Sequence, residues 1–290
     1  MSRVSALRRF FAPPPRQILF VVVVLGRVDC GVMSVQGARV EWDKDRVWTE
    51  QVHAVDDTSS PLLAALHRLQ EQVAEGVAEE GAVDELRVVV TDHALAVTSL
   101  PWSPPLIHAG RAHTYARAQL ASAGFNLDPA DVLKLDDAPW GSPRLAVAYP
   151  AALVGALDQW AHRLGARVTS LLPLSVAAWG WVQHKAGAQR NAPVQAVAVL
   201  HDAALLIARS PWGQPDVLSD VSVRVSDGAA SALQALSSLW QRLCLREPQC
   251  SEMGPVALLD FSQTGQGAPP PPFAPIELPQ PAWQALSHTP

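Results

Sequence analysis

The sequence predicts an α/β protein built from two mixed β-sheets with helices packed on their faces. Two observations carry this. The order of three adjacent strands, a crossover helix and a further strand occurs twice, starting at residues 17 and 194. The segments between and around these strands carry apolar residues at three- and four-residue spacing, the mark of amphipathic helices laid on a sheet. Composition agrees: 49% of the 290 residues are hydrophobic and 17% are charged, ample material for a core and inconsistent with a disordered chain.

The first strand is expected over 17–26, where Ile18-Leu19-Phe20-Val21-Val22-Val23-Val24-Leu25 forms an unbroken apolar run. With Arg8-Arg9 upstream, this run also fits the core of an export signal, and an exported binding protein using residues 18–25 is one alternative. The run is too short to span a bilayer, which takes about 20 residues, and four consecutive valines favour a buried strand. Two more strands are expected at 31–42 and 46–55, with Gly37 and Asp43-Lys44-Asp45 as turns. Ser60-Pro61 then starts a helix whose stripe is Leu62, Leu66, Leu69, Val73 and Val77. Arg87-Val88-Val89-Val90 is the following strand, turning at Asp92-His93 into a second short one.

A helix is expected around 109–123, a strand at Arg144–Tyr149, a helix with Leu153, Leu157, Trp160 and Leu164 stopped by Gly165, a strand at Val168–Leu172 and a helix from Ser175 to Lys185. The opening order then returns. Strands fall at 194–200, 203–209 and 217–225, a helix carries Leu233, Leu236, Leu239, Trp240 and Leu243, and a strand closes the set at Pro255–Phe261. The division into domains follows: a basic proline-broken tail over 1–16, a first subdomain over 17–141, a connecting segment over 142–193 that completes it, a second subdomain over 194–261, and a disordered proline-rich tail over 262–290.

Several function classes are excluded or left without support. A net charge of −5 and pI near 6.0 give no nucleic-acid footprint. The sequence holds no Gly-x-x-x-x-Gly-Lys-Ser/Thr loop, no Gly-x-Ser-x-Gly elbow and no His-Glu-x-x-His pair. His108 and His113 are five residues apart, the wrong spacing for one helical face, and no metal site is expected. Cys30, Cys244 and Cys250 are widely spaced and read as reduced, inert thiols. His93 beside Asp92 and His201 beside Asp202 could each pair a base with an orienting carboxylate, but both read as solvated turns. Trp160 and Trp240 sit on helix stripes and belong to the core, whereas Trp102, Trp140, Trp212 and Trp283 fall in proline-bounded loops or the tail and are candidate interface residues.

One stretch has a family likeness. Ala148-Tyr149-Pro150 ends a strand and opens a helix, Leu164-Gly165-Ala166 makes an apolar turn, and Pro173-Leu174-Ser175-Val176-Ala177 opens the next helix. Then follow Ala196-Val-Ala-Val-Leu-His-Asp202 and Leu205-Leu-Ile-Ala208. In order and spacing these resemble PilM of type IV pili, and the N-terminal half is similar to the cytoplasmic domain of GspL of type II secretion. The resemblance covers roughly residues 17–261. It implies the actin-like ATPase fold of two tandem RNase-H-like subdomains. It also implies an assembly-platform scaffold at the cytoplasmic face of the inner membrane, linking membrane platform proteins to a motor ATPase and compatible with a homodimer. GspL carries a transmembrane helix after this domain and none is read here, so PilM is the nearer analogue. Actin-like ATPases hold phosphate on two Asp-x-Gly hairpins, where the aspartate positions Mg²⁺ and glycine admits the phosphates. Asp29-Cys30-Gly31 has the letters of the first. Asp202 stands at the second, but Ala203 and Ala204 replace glycine. No cofactor and no enzymatic activity are therefore expected. ATP with Mg²⁺ at Asp29, Gly31 and Asp202, as in an ATPase or sugar-kinase-like enzyme, is the other alternative.

Overall fold

The computed structural model describes residues 15–24, 26–37, 39–52, 60–80, 82–137, 141, 143–188, 196–201, 203–209, 218–224, 229–246, 248, 251, 254–261, 269 and 271–288. The tail over 1–14 and the candidate residues Trp140, Asp202 and Trp212 lie outside them.

Contacts divide the chain into two compact units. One comprises Met1–Val22, Arg27–Val88 and Ala156–Leu171; the other comprises Val23–Gly26, Val89–Gly155 and Leu172–Pro290. In this division residues 89–155 group with the second sheet.

The first unit is organised on a five-stranded sheet of order β3-β2-β1-β4-β8. Its strands are β1 (Arg16–Val23), β2 (Arg27–Gln36), β3 (Arg39–Gln51), β4 (Glu85–Val90) and β8 (Arg167–Pro173). The apolar run of β1 fills the centre, and Ile18 through Val24 are all buried. Removing it as a signal would take away the middle strand of the sheet. Helix α1 (Pro61–Glu80) lies against β2 and β3 and buries the expected stripe Leu66, Leu69, Val73 and Val77. The Ala64 N–H donates to the Ser60 carbonyl at its start. Contact here is close: a Cβ on Gly76 would lie 2.7 Å from Trp48 Cζ2.

One expectation is corrected. Asp43-Lys44-Asp45 does not turn the chain but lies within β3, and the turn falls at Gly37, whose φ is +62°. Local pairing explains how charge is carried there. Arg46 Nε donates to Asp43 Oδ2 at 2.8 Å, and a register shift between Gly31 and Met33 lets β3 run on past the triad.

The second unit holds two sheets. The three-stranded one, β5-β7-β6, uses β5 (Ala96–Leu100), β6 (Val132–Leu135) and β7 (Arg144–Tyr149), all antiparallel. Helix α2 (Ala109–Ser122) covers one face through Ala112, Ala116 and Leu120, and stops at Gly124 with φ +94°. The sequence reading missed β6, four residues between an Asp-Pro turn and a charged loop. Helix α3 (Ala151–Arg163) begins after β7, where the Ala151 N–H donates to Asp131 Oδ1 at 3.1 Å, and Gly165, φ +68°, follows its end.

The other sheet has the order β11-β10-β9-β12-β13. Its strands are β9 (Ala196–Leu200), β10 (Ala203–Arg209), β11 (Leu218–Arg224), β12 (Val256–Asp260) and β13 (Phe273–Pro275), and helices α4 (Leu174–Ala188) and α5 (Ala229–Arg246) pack on it. It repeats the connectivity of the first sheet: an antiparallel meander, then a parallel neighbour of the first strand reached through a helix.

The tail expected to be disordered is in large part built into this unit. β13 pairs parallel to β12, and a 3₁₀ segment, Ala282–His288, buries Trp283, Ala285 and Leu286. Phe273 and these apolar residues, set among the prolines, supply the burial that a proline-rich composition alone would not. Trp283 is thus a core residue rather than an interface candidate.

Candidate functional site

Two hairpins are the places where phosphate loops would sit. Between the end of β1 at Val23 and the start of β2 at Arg27 the sequence holds no carboxylate or hydroxyl. Asp29 and Gly31 lie further on, in the body of β2, opposite Thr49 and Val47 of β3. Asp29 is 1% exposed. Its Oδ2 accepts from Arg27 Nε at 2.7 Å and its Oδ1 accepts from the Thr49 hydroxyl at 2.8 Å. Both oxygens thus serve the β2–β3 ladder. The adjacent Cys30 is also buried, and burial pushes its thiol up, away from the reactive thiolate.

Directly after β9, His201 is buried, 2% exposed. Its ring meets that of His93 at 5.8 Å between centroids and 79° between planes. His93 belongs to a 3₁₀ turn, Asp92–Ala94, directly after β4. The Thr91 hydroxyl stands 3.4 Å from His93 Nδ1. Asp92, 6% exposed, reaches the start of α4. The Ser175 N–H donates to Asp92 Oδ2 at 2.9 Å and the Ser175 hydroxyl donates to Oδ1 at 2.5 Å. The carboxylate therefore caps α4 from a distant part of the chain and meets the positive end of its dipole.

Burial raises the Asp92 pKa above the ordinary carboxylate value, and the two Ser175 bonds offset part of that rise. Tyr149 ends β7 close enough to feel Asp92, and burial, with the Asp92 charge added, pushes its phenol well up. Burial, with His93 next in importance, pushes His201 down to about 3, so its imidazole is neutral.

The solvated-turn expectation for His93-Asp92 and His201 is therefore overturned for Asp92 and His201, and His93 is half-buried. The signal was present in the sequence. His201 directly follows the continuous apolar strand Val197-Ala198-Val199-Leu200, and Asp92 follows Val88-Val89-Val90 with Thr91 between. A polar residue one or two steps past the end of a strand buried on both faces still lies within its layer. Of the interface candidates, Trp102 is half-buried in the loop before α2; Ile107, five residues on, is 54% exposed.

No protein-family model and no curated protein matches the sequence. Solved structures do match in fold. The cytoplasmic domain of EpsL, an inner membrane component of the type II secretion system of Vibrio cholerae, superimposes with TM-score 0.53 at 16% identity, over 94% of each chain. The PilM-PilN type IV pilus biogenesis complex gives TM-score 0.56 at 12% identity, over 92% of this chain and 89% of that one. A Bacteroides thetaiotaomicron protein with an actin-like ATPase fold and unknown function gives 0.51 at 11% identity, over 87% and 84%. The protein has the actin-like ATPase fold expected from the sequence, and its structural neighbours include EpsL and PilM, from the two kinds of system that the sequence resembled. Among the described residues, no helix is long and apolar enough to cross a membrane.

Proposed function

We propose that the chain is a non-catalytic scaffold in type II secretion or type IV pilus assembly. It would act at the cytoplasmic face of the inner membrane and join membrane platform components to a motor ATPase. The observation that carries this reading is the extent of the fold correspondence, which covers 94% of this chain and of EpsL's cytoplasmic domain, and 92% of this chain and 89% of the chain matched in the PilM-PilN complex. The state of the first hairpin supports the absence of catalysis. A Mg²⁺-positioning aspartate needs free oxygens facing the phosphates, and those of Asp29 are engaged by Arg27 and Thr49 inside β2.

The reading is tested by co-purification with membrane platform proteins and motor ATPases of type II secretion and type IV pilus systems. Capture of a platform protein is expected, weakened by Trp102→Ala or Ile107→Glu if the loop before α2 makes the contact. Capture of neither partner would sink the scaffold role. Calorimetry with Mg·ATP tests the missing catalysis separately: no heat is expected, and binding that Asp29→Ala abolished would restore the nucleotide reading.

A further inference from the structure

His201 is 2% exposed, yet neither of its ring nitrogens has a hydrogen-bond partner among the described residues. Leaving a buried polar atom unsatisfied costs about 1–3 kcal/mol, so this ring sits where something else should supply a bond. Its neighbour is a second imidazole, His93, at 5.8 Å between ring centroids. Ring packing alone would leave the His201 nitrogens unmet. A shared cation would not. A zinc-class ion lies about 2.0–2.1 Å from a ligating nitrogen and so about 3.2 Å from the ring centre. Two rings on one ion then have centres up to about 6.4 Å apart, and closer as the angle at the ion narrows towards tetrahedral. The observed separation falls within that interval.

The surroundings suit the role. The Thr91 hydroxyl at His93 Nδ1 is the kind of outer partner that orients a ligating imidazole. Burial keeps His201 in the neutral form that coordinates. We propose that His93 and His201 bind one divalent transition cation of the zinc class, tying the turn after β4 to the turn between β9 and β10. Among the described residues, no group of three His, Cys, Asp or Glu side chains is placed to hold an ion. The described residues thus supply two ligands, a weaker hold than a closed site of three or four.

The test uses the full chain, stripped with a chelator and titrated with zinc chloride alone at pH 7.5 by calorimetry, with metal content measured in parallel. One ion per chain is expected. His93→Gln and His201→Ala should each weaken binding about tenfold or more, while His108→Ala and His113→Ala, both on exposed histidines, leave it unchanged. Should His201→Ala fail to fold, imidazole resonances of the wild-type chain decide: two of the nine histidines should shift with zinc. No uptake, uptake unaffected by either variant, or shifts confined to other histidines would overturn the proposal.

Discussion

The two five-stranded sheets share a strand order and hold their last strand in opposite ways. In β3-β2-β1-β4-β8, polar bonds pin the start of β4. Glu85 accepts from Arg16 at 3.1 Å, from Arg87 at 3.2 Å and from the Thr169 hydroxyl of β8 at 3.2 Å, so one carboxylate touches three strands. In β11-β10-β9-β12-β13, the last strand is three residues long and is held by apolar contact. Phe273 meets Trp240 edge-on at 6.5 Å and joins Val256, Leu258 and Leu236 in one cluster, while Trp283 and Leu286 are buried just beyond. The difference teaches that strand order alone does not dictate how an edge is secured. A seven-residue strand carries enough backbone pairing for a polar pin to finish the job. A three-residue strand ending in proline does not, and needs large side chains as anchors.

Trp283→Ala should therefore have the largest effect. Truncating a buried tryptophan costs about 3–5 kcal/mol. Urea denaturation should show a lower midpoint, with loss of the 271–288 segment's protection in hydrogen exchange. A loss under 1 kcal/mol would mean that the segment adds little and that the contrast between the sheets is false.

Much of this contrast was legible in the sequence and part was not. The repeated β-β-β-α-β order was readable because continuous valine runs and three-to-four-residue stripes report burial on two faces and on one. The C-terminal anchor was not, because composition averages Phe273, Trp283 and Leu286 into a proline-rich background. Strands expected at 17–26 and 31–42 put Asp29 in the turn between them. In the structure β2 starts earlier, at Arg27, and the aspartate falls inside the ladder. The apolar strands before Asp92 and His201 signal burial, but nothing local to either residue reveals the distant Ser175 or His93 that it meets.

Asp92 tests whether the second unit depends on apolar contact alone. Asp92→Ala removes both bonds at the start of α4 and leaves the Ser175 N–H and hydroxyl buried without them. Hydrogen bonds to a charged group contribute about 1.5–3 kcal/mol, and a lost cap typically about 1. A total loss of about 2–3 kcal/mol is expected. Asp92→Asn, which keeps one acceptor oxygen, should lose about half as much. Equal losses in the two variants would show that charge, not acceptor geometry, sets the effect.

On the first unit, Gly76→Ala probes packing rather than pinning. Alanine favours the helix by about 1 kcal/mol, but its Cβ would press on the Trp48 ring at 2.7 Å, and overpacking costs about 1–3 kcal/mol. A net loss of about 1 kcal/mol is expected. The double variant with Trp48→Leu should recover the helix gain, a coupling visible in a double-mutant cycle. Additive effects would place the constraint elsewhere than in this contact.

Glu85→Gln should have the smallest effect at neutral pH and a distinct dependence on acidity. Burial pushes this carboxyl up, but the Arg87 ion pair, the Thr169 hydroxyl and Arg16 together outweigh burial and leave its pKa below the ordinary 4.5. A carboxylate with a depressed folded-state pKa stabilises the protein fully above the unfolded value, and that stability is lost as pH falls through the folded one. Wild type should exceed Glu85→Gln by about 1 kcal/mol at pH 7, with the gap closing as the pH drops below about 4.3. Because the second sheet relies on Phe273 and Trp283, the Trp283→Ala loss should be nearly constant over the same range. Parallel acid limbs for wild type and Glu85→Gln would mean that the carboxylate does not pin β4, and the polar half of the comparison would fail.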